Sequence, residues 1–311
     1  MLRYILRRVF WSVATLLIIL FILFLLLQFM PGTPFDDEKL TEAQKILMYA
    51  KYGLDQPFWL RFKIYLENIL FRGDFGISLS LQKNQLVQAI VLPRLGVSVR
   101  IGVQALMLGT FLGVVFGVLS GSNKNTKIDT SATIIAVLGV SIPSYVFALL
   151  LSFFFGYKWN IFAITYRHGE PFFSSILPTI SLSMFVMAQT TRFLRTELIE
   201  VLASDYIKLV ESKGVKRIFV ILRHGIRNAL ISVITILGPL TVTLMTGSLV
   251  VERVYGVPGI GDLLVEGILS NDFNVIVMIA FIYSAMYIFM NLMVDILYGV
   301  IDPRIRVARG G

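Results

Sequence analysis

The chain has no cysteine and only two histidines, His168 and His224. Disulfides, thiolate metal sites and cysteine nucleophiles are therefore excluded, and a histidine-rich metal or acid–base centre has little to build on. Charge is scarce too. Asp, Glu, Lys and Arg make up 15% of the 311 residues, against about 25% in soluble domains. The phosphate-cradling pattern G-x-x-x-x-G-K-[ST] is missing, which rules out ATP binding by a P-loop, and so is the nucleophile pattern G-x-S-x-G. Gly256-Val257-Pro258-Gly259-Ile260-Gly261 is glycine-rich but follows no strand and reads as a turn. What is abundant is apolar: 56% of residues are hydrophobic and the mean hydropathy is +0.79. Such a composition belongs to a protein whose solvent is largely lipid.

Six stretches free of Asp, Glu, Lys and Arg are long enough to cross a bilayer as helices: 9–35, 101–123, 130–157, 171–191, 228–251 and 273–294. A span needs about 20 apolar residues at ~1.5 Å rise each. The expected cores are 9–29, 101–120, 131–155, 174–191, 229–251 and 275–294. The first has basic residues before it, Arg3, Arg7 and Arg8, like a signal peptide. Its apolar run is longer than the usual core of about 7–15 residues, and Met30-Pro31-Gly32 is no small-residue cleavage site, so an uncleaved helix is expected.

Six spans put both termini on one side. That side holds 16 Lys and Arg against 7 acids, and the opposite side 12 against 12. Excess Lys and Arg mark the cytoplasmic face, so both termini are expected there. The short outer loops carry only Lys158, Arg167 and Arg253, in agreement.

Outside, 36–97 is the one sizeable polar region, expected to hold helices at about 38–51 and 57–71. Pro57 suits a first helical turn, and Trp59, Phe62, Leu66 and Ile69 share a face. That face suits the membrane surface or the span ends, or an external partner. Asp36-Asp37-Glu38 reads as a solvated helix start. Inside, 192–227 predicts a continuation of the fourth span, a short helix over 204–213 ended by Gly214, and a third helix from Lys216 into the fifth span. Asp205–Lys208 and Lys208–Glu211 are spaced i,i+3, with Ile207 and Val210 on the other face. Lys216, Arg223 and Arg227 form a basic stripe suited to lipid headgroups. The pattern of the short helix leaves two readings open, an exposed connector or an element that a partner subunit grips.

Pro143, Pro178 and Gly238-Pro239 are expected to kink or break the third, fourth and fifth spans. Asp295, near the inner end of the last span, needs a cation or a polar cavity. Gln104, Gln189 and Asn291, with the Pro143 break, are candidates for lining a path. No span core contains the chain of ionisable groups that a proton-coupled carrier requires.

Pieces distributed along the whole chain carry a family resemblance. They are Met1-Leu2-Arg3-Tyr4-Ile5-Leu6-Arg7-Arg8 with Pro31-Gly32, Tyr52-Gly53-Leu54-Asp55-Gln56-Pro57, Arg72-Gly73-Asp74-Phe75-Gly76 and Ser141-Ile142-Pro143-Ser144. The strongest is Asp205-Tyr206-Ile207 through Lys213-Gly214, then Arg223-His224 and Arg227-Asn228-Ala229-Leu230. Val251-Glu252, Pro258-Gly259-Ile260-Gly261 and Asp302-Pro303-Arg304-Ile305-Arg306 follow. In this order and spacing the chain resembles the permease subunit of binding-protein-dependent ABC importers, in the dipeptide/oligopeptide permease branch. It departs from the family pattern at Leu209-Val210-Glu211-Ser212, Ser232 and Asn271-Asp272-Phe273-Asn274.

The resemblance implies an all-α polytopic fold of the type I ABC importer class: six transmembrane helices and a cytoplasmic coupling-helix loop. Along the chain it implies a cytoplasmic tip and first span at 1–30, an extracytoplasmic segment at 31–100, and a five-helix permease core at 101–311 with its coupling loop at 192–228. It makes Asp205, Tyr206, Ile207, Lys208, Val210, Glu211, Lys213 and Gly214 an ATPase-docking helix. Tyr206, Ile207 and Val210 would fill a groove in the partner. It implies no cofactor and no catalytic or metal residue in this chain, with ATP and magnesium held by partner ATPases. The implied partners are a second permease subunit, two cytoplasmic ATPase subunits, an extracytoplasmic substrate-binding protein, the lipid bilayer and a peptide substrate, with no nucleic acid. The implied setting is the cytoplasmic membrane of a bacterium or archaeon. Nickel or glutathione importers of the same build, and an ion-coupled secondary carrier, are the alternatives.

Overall fold

The computed structural model describes residues 2–29, 35 and 41–301. In chain order the helices are α1 (Leu2–Gln28), α2 (Glu42–Lys51), α3 (Phe58–Glu67), α4 (Val87–Ser122), α5 (Lys127–Ser141), α6 (Ser144–Leu151), α7 (Pro171–Ser174), α8 (Ile176–Ala203), α9 (Asp205–Ser212), α10 (Arg217–Phe219), α11 (Ile226–Met245), α12 (Leu249–Tyr255), α13 (Ile260–Leu269) and α14 (Phe273–Ile301). Short π-helical segments extend α3 (Asn68–Arg72) and α6 (Ser152–Lys158), and another joins α10 to α11 (Val220–Gly225). Among the described residues the only β pairing is an isolated antiparallel bridge between Ile77 and Leu86.

Among the described residues three helical stretches are long and apolar enough to cross a membrane: Arg7–Gln28, Val87–Ser122 and Phe273–Met293. The pair α5 and α6, with its π-helical extension, makes a fourth span if the bent pair is counted as one. Its two halves meet at 103°. Ile142, held in extended backbone before Pro143, ends α5, because a residue preceding proline is driven out of the α region. The break expected at Pro143 is therefore present. Pro178 breaks nothing: it sits in the first turn of α8, where a missing N–H costs no helical bond. Nor is α11 broken at Gly238-Pro239, through which it runs continuously. The apolar run 228–251 is interrupted instead at Thr246-Gly247-Ser248, between α11 and α12.

The chain divides into two compact units. One comprises residues 1–96 and 259–288, the other 97–258 and 289–311. The segment 259–288, expected within the core at 101–311, thus belongs with the N-terminal unit.

In the first unit, α1 exposes nearly all its apolar length, Phe10, Trp11 and Leu26 among it, as a helix facing lipid does. A capping box opens α2. Thr41 Oγ1 accepts from the Gln44 amide, and Gln44 Oε1 accepts from the Thr41 amide at 2.8 Å. Pro57 is the N-cap of α3. The aromatic face of α3 lies on α1: Phe58, Trp59 and Phe62 pack around Phe21, and Phe62 and Tyr65 around Phe24. Arg61 donates to Gln28 Oε1 at 3.1 Å. The reading of α3 as a helix resting on span ends is the one the packing supports. Burial, with Asp74 nearby, pushes the Tyr65 hydroxyl above its ordinary pKa. The core joins Ile69, Phe75, Val87 and Val91 to Ile260, Leu263, Val275 and Ile279. Beside it the fully buried Asp272 gathers one loop with a single oxygen. Its Oδ2 accepts from Ser78 Oγ and from the amides of Leu79, Ser80 and Leu81.

In the second unit α8 is the central helix, with thirteen buried residues. It packs against α5, α6 and α11. Glycines bring α4 against it without side chains between. A Cβ on Gly109, Gly113, Gly117 or Gly121 would lie 2.5–3.0 Å from Ser183, Thr190, Leu194 or Leu198 of α8. On α5, Gly139 does the same toward Ala188. Close backbone approach of this kind is how helices associate where lipid removes the hydrophobic drive. The side chain of Asp295, Asp36-Asp37-Glu38 and Asp302–Arg306 lie outside the described residues.

Candidate coupling helix and path residues

At its C-terminal end α8 turns sharply. Ser204, in extended backbone, separates Ala203 from Asp205, and its carbonyl accepts from the amides of Ile207 and Lys208. Ser204 Oγ donates to Val201 O, so no side chain caps α9. Asp205 in the first turn complements the helix dipole and holds Lys208 Nζ at 2.8 Å. Lys213 follows the last turn. Gly214 then reverses the chain at φ +78°, its amide bonded to Glu211 O at 2.9 Å. A left-handed backbone here selects glycine, since a Cβ is opposed by the backbone itself.

Within α9 one side chain faces inward. Ile207 is fully buried, where α9 packs on the end of α8 and on the π segment 220–225. It anchors the helix to its own chain and does not fill a partner's groove, and Val210 is half-buried beside it. Tyr206 accepts from Asn228 Nδ2 through its hydroxyl at 2.6 Å and keeps an exposed ring. The apolar group presented outward, 57% exposed, is Leu209, which the sequence pattern did not select. Asp205, Lys208, Glu211, Lys213 and Gly214 are all exposed.

Between two and three turns back along α8 is a cluster that the sequence pattern does not reveal. Asp129, in the first turn of α5, is 4% exposed. It receives Arg195 of α8 in a two-pronged bond, Nε to Oδ1 at 2.6 Å and Nη2 to Oδ2 at 2.9 Å. Ser120 Oγ and the Asn125 amide donate to the same carboxylate. The turn between α4 and α5 is thereby fastened to the stretch of α8 that leads into α9. The readable signal was an acid among Lys124, Lys127 and the arginines 192 and 195, but pairing partners 66 residues apart cannot be assigned from one sequence.

The four path residues do not converge. Pro143 lines a cavity of about 360 Å³ at the bend between α5 and α6, with Ser144, Ser181, Phe185, Thr243 and Ser248. Gln104 is engaged elsewhere, its Oε1 accepting from Ser175 and Thr179 at the start of α8. Gln189 on α8 and Asn291 on α14 are half-buried and do not line this cavity.

Residues 113–307 match the family described as the binding-protein-dependent transport system inner membrane component, and residues 1–102 match its N-terminal counterpart. The chain belongs to this family. The permease is 40% identical over 307 residues to the dipeptide transport system permease protein DppB of Lactococcus lactis subsp. cremoris, covering 99% of this chain and 100% of that protein. It is 36% identical over 307 residues to the oligopeptide transport system permease protein OppB of Haemophilus influenzae, covering 98% and 100%. To the dipeptide permease DppB of Bacillus subtilis it is 36% identical over 314 residues, covering 100% of both. As a permease subunit it is not itself the ATPase of its transporter.

Proposed function

We propose that the permease is the translocation subunit of an ATP-driven importer of dipeptides or oligopeptides, and that α9 receives the ATPase. The names of its relatives support the peptide substrate. The observation that carries the coupling role is α9 itself: a short helix fixed to its own chain by Ile207, set off from α8 by the extended Ser204 and ended by the left-handed Gly214, with Tyr206, Leu209 and its charges turned outward. In this reading six spans are formed by α1, α4, the bent pair α5–α6, α8, α11 and α14. Both termini are cytoplasmic, consistent with the charge split. A second permease subunit completes the path, two ATPases that bind ATP and magnesium dock below, and an extracytoplasmic binding protein delivers peptide above. ATP-driven closure of the ATPases pushes on α9. Because a single residue separates α9 from α8, the push passes into the core helix of the second unit.

Topology is tested in the naturally cysteine-free chain. Leu60→Cys should react with an impermeant maleimide from outside intact cells, and Leu209→Cys only after permeabilisation. The opposite pattern would overturn the orientation.

Coupling is tested at Gly214. A Cβ there meets nothing within 4 Å, so only the positive φ opposes substitution. Gly214→Val should leave the spans folded but move α9, weakening ATPase association and lowering peptide uptake at least tenfold. Gly214→Asn, which tolerates left-handed backbone, should retain most uptake. Equal uptake in the two variants would remove the coupling role from this helix.

A further inference from the structure

The segment that follows α9 carries charge of a single sign. Between Glu211 and Glu252 there is no acidic residue. Within this stretch Lys216, Arg217, Arg223 and Arg227 are all exposed. None of the four has an ion pair or side-chain hydrogen bond among the described residues. On the same segment Ile218, Phe219 and Leu222 are 54–56% exposed, while Val220, Ile221 and Gly225 face inward. Cations beside large exposed apolar groups are the make-up of a helix lying in a membrane interface: the apolar groups enter the acyl boundary and the cations stay at headgroup level. The segment continues directly into α11 and the apolar run 228–251, so it reaches the membrane surface where that run begins.

We propose that residues 216–227 bind anionic phospholipid of the cytoplasmic leaflet, and that the bound lipid fixes the level at which α9 is presented. The proposal rests on the cytoplasmic placement of this loop. The link to α9 is structural, since α9 packs on the π segment 220–225 and Tyr206 is bonded to Asn228. Lipid held by the four cations therefore restrains the platform on which the docking helix stands. Four unpaired cations favour an anionic headgroup over a zwitterionic one, because each Lys or Arg near the surface is attracted only where the headgroup carries net charge.

The test uses Ile218→Cys as the single thiol of the full-length permease, labelled with bimane, in nanodiscs containing brominated phosphatidylglycerol or brominated phosphatidylcholine at equal mole fraction. Bromine quenches only on contact. The expected result is stronger quenching by phosphatidylglycerol, decreasing with added salt. Arg223→Gln should lower that preference about fivefold, and glutamine at all four positions should abolish it. Exchanging lysine and arginine at the four positions should preserve it, which separates charge loss from misfolding. Equal quenching by the two lipids, absence of quenching, or loss of quenching when the ATPase subunits are bound would overturn the proposal. The sidedness of Leu209→Cys in sealed cells reports the cytoplasmic placement independently, so failure of the topology and failure of the lipid preference are distinguishable.

Discussion

Gly109→Ala combined with Gly113→Ala is expected to lower the thermal midpoint of the purified permease sharply, whereas Gly96→Ala on the same helix should raise it or leave it unchanged. A Cβ on Gly113 would lie 2.5 Å from Thr190 Cβ and 2.9 Å from Met187 O, and one on Gly109 2.6 Å from Ser183 O. The carbonyls belong to the α8 backbone and cannot swing aside as a side-chain tip would. Overpacking costs about 1–3 kcal/mol at each site, and alanine returns at most about 1 kcal/mol in helix propensity. The balance at the two contact sites is therefore a loss. At Gly96 a Cβ meets nothing within 4 Å, so the propensity gain stands unopposed. The measurement is heated size-exclusion chromatography in detergent. If all three glycines responded alike, the close contact between α4 and α8 would not be what holds this unit together.

Asp129→Ala is the second large effect. It leaves the Arg195 guanidinium facing a pocket with no carboxylate, and it removes the acceptor of Ser120 Oγ and of the Asn125 amide. Removing one partner of a buried pair costs about 3–5 kcal/mol when both charges are dry. Arg195 is 29% exposed, so water offsets part of the loss, and about 2–3 kcal/mol is expected. Asp129→Ala with Arg195→Ala should be less unstable than Asp129→Ala alone, because the uncompensated charge goes with the arginine. A double-mutant cycle on the same midpoints measures this. Strict additivity of the two substitutions would mean that the pair contributes nothing jointly.

The parts of the fold legible in the sequence are those that meet lipid. The long helices α1, α4 and α14 lie where uncharged apolar runs were found, because a side chain facing hydrocarbon must itself be apolar. The bend at Ile142-Pro143 was legible for an equally local reason, since proline acts on its immediate neighbour. The break expected at Pro178 is absent because a proline inside an apolar run looks the same whether it lies mid-helix or in a first turn, and the helix start is set by tertiary packing. Ile207, expected to face a partner, is covered by its own chain, because the pattern of α9 defines an apolar face without saying what covers it. The glycine row at 109, 113, 117 and 121 has a regular spacing of four and could have been read as a helix-packing face. Within a charge-free run, however, glycine is no more conspicuous than any other uncharged residue. Asp129 and Arg195 could not be paired from sequence, because their contact is created by the fold.

The polarity of α8 bears on how the permease is made. Thr179, Ser181, Ser183, Thr190 and Thr191 are buried in it, and α8 is not among the helices apolar enough to qualify as a span by composition. Ser181, Ser183 and Thr191 turn their hydroxyls back onto carbonyls of their own helix, which lessens but does not remove their cost in hydrocarbon. Such a helix is a poor substrate for insertion by itself. During synthesis α4, α5 and α6 precede it, and α4 already carries the glycine face on which it will lie. The insertion machinery can therefore hand α8 to a half-built receptacle instead of to bare lipid. Shortening the chain from the N-terminal side past α4 would strand it, even though not one residue of α8 had been changed.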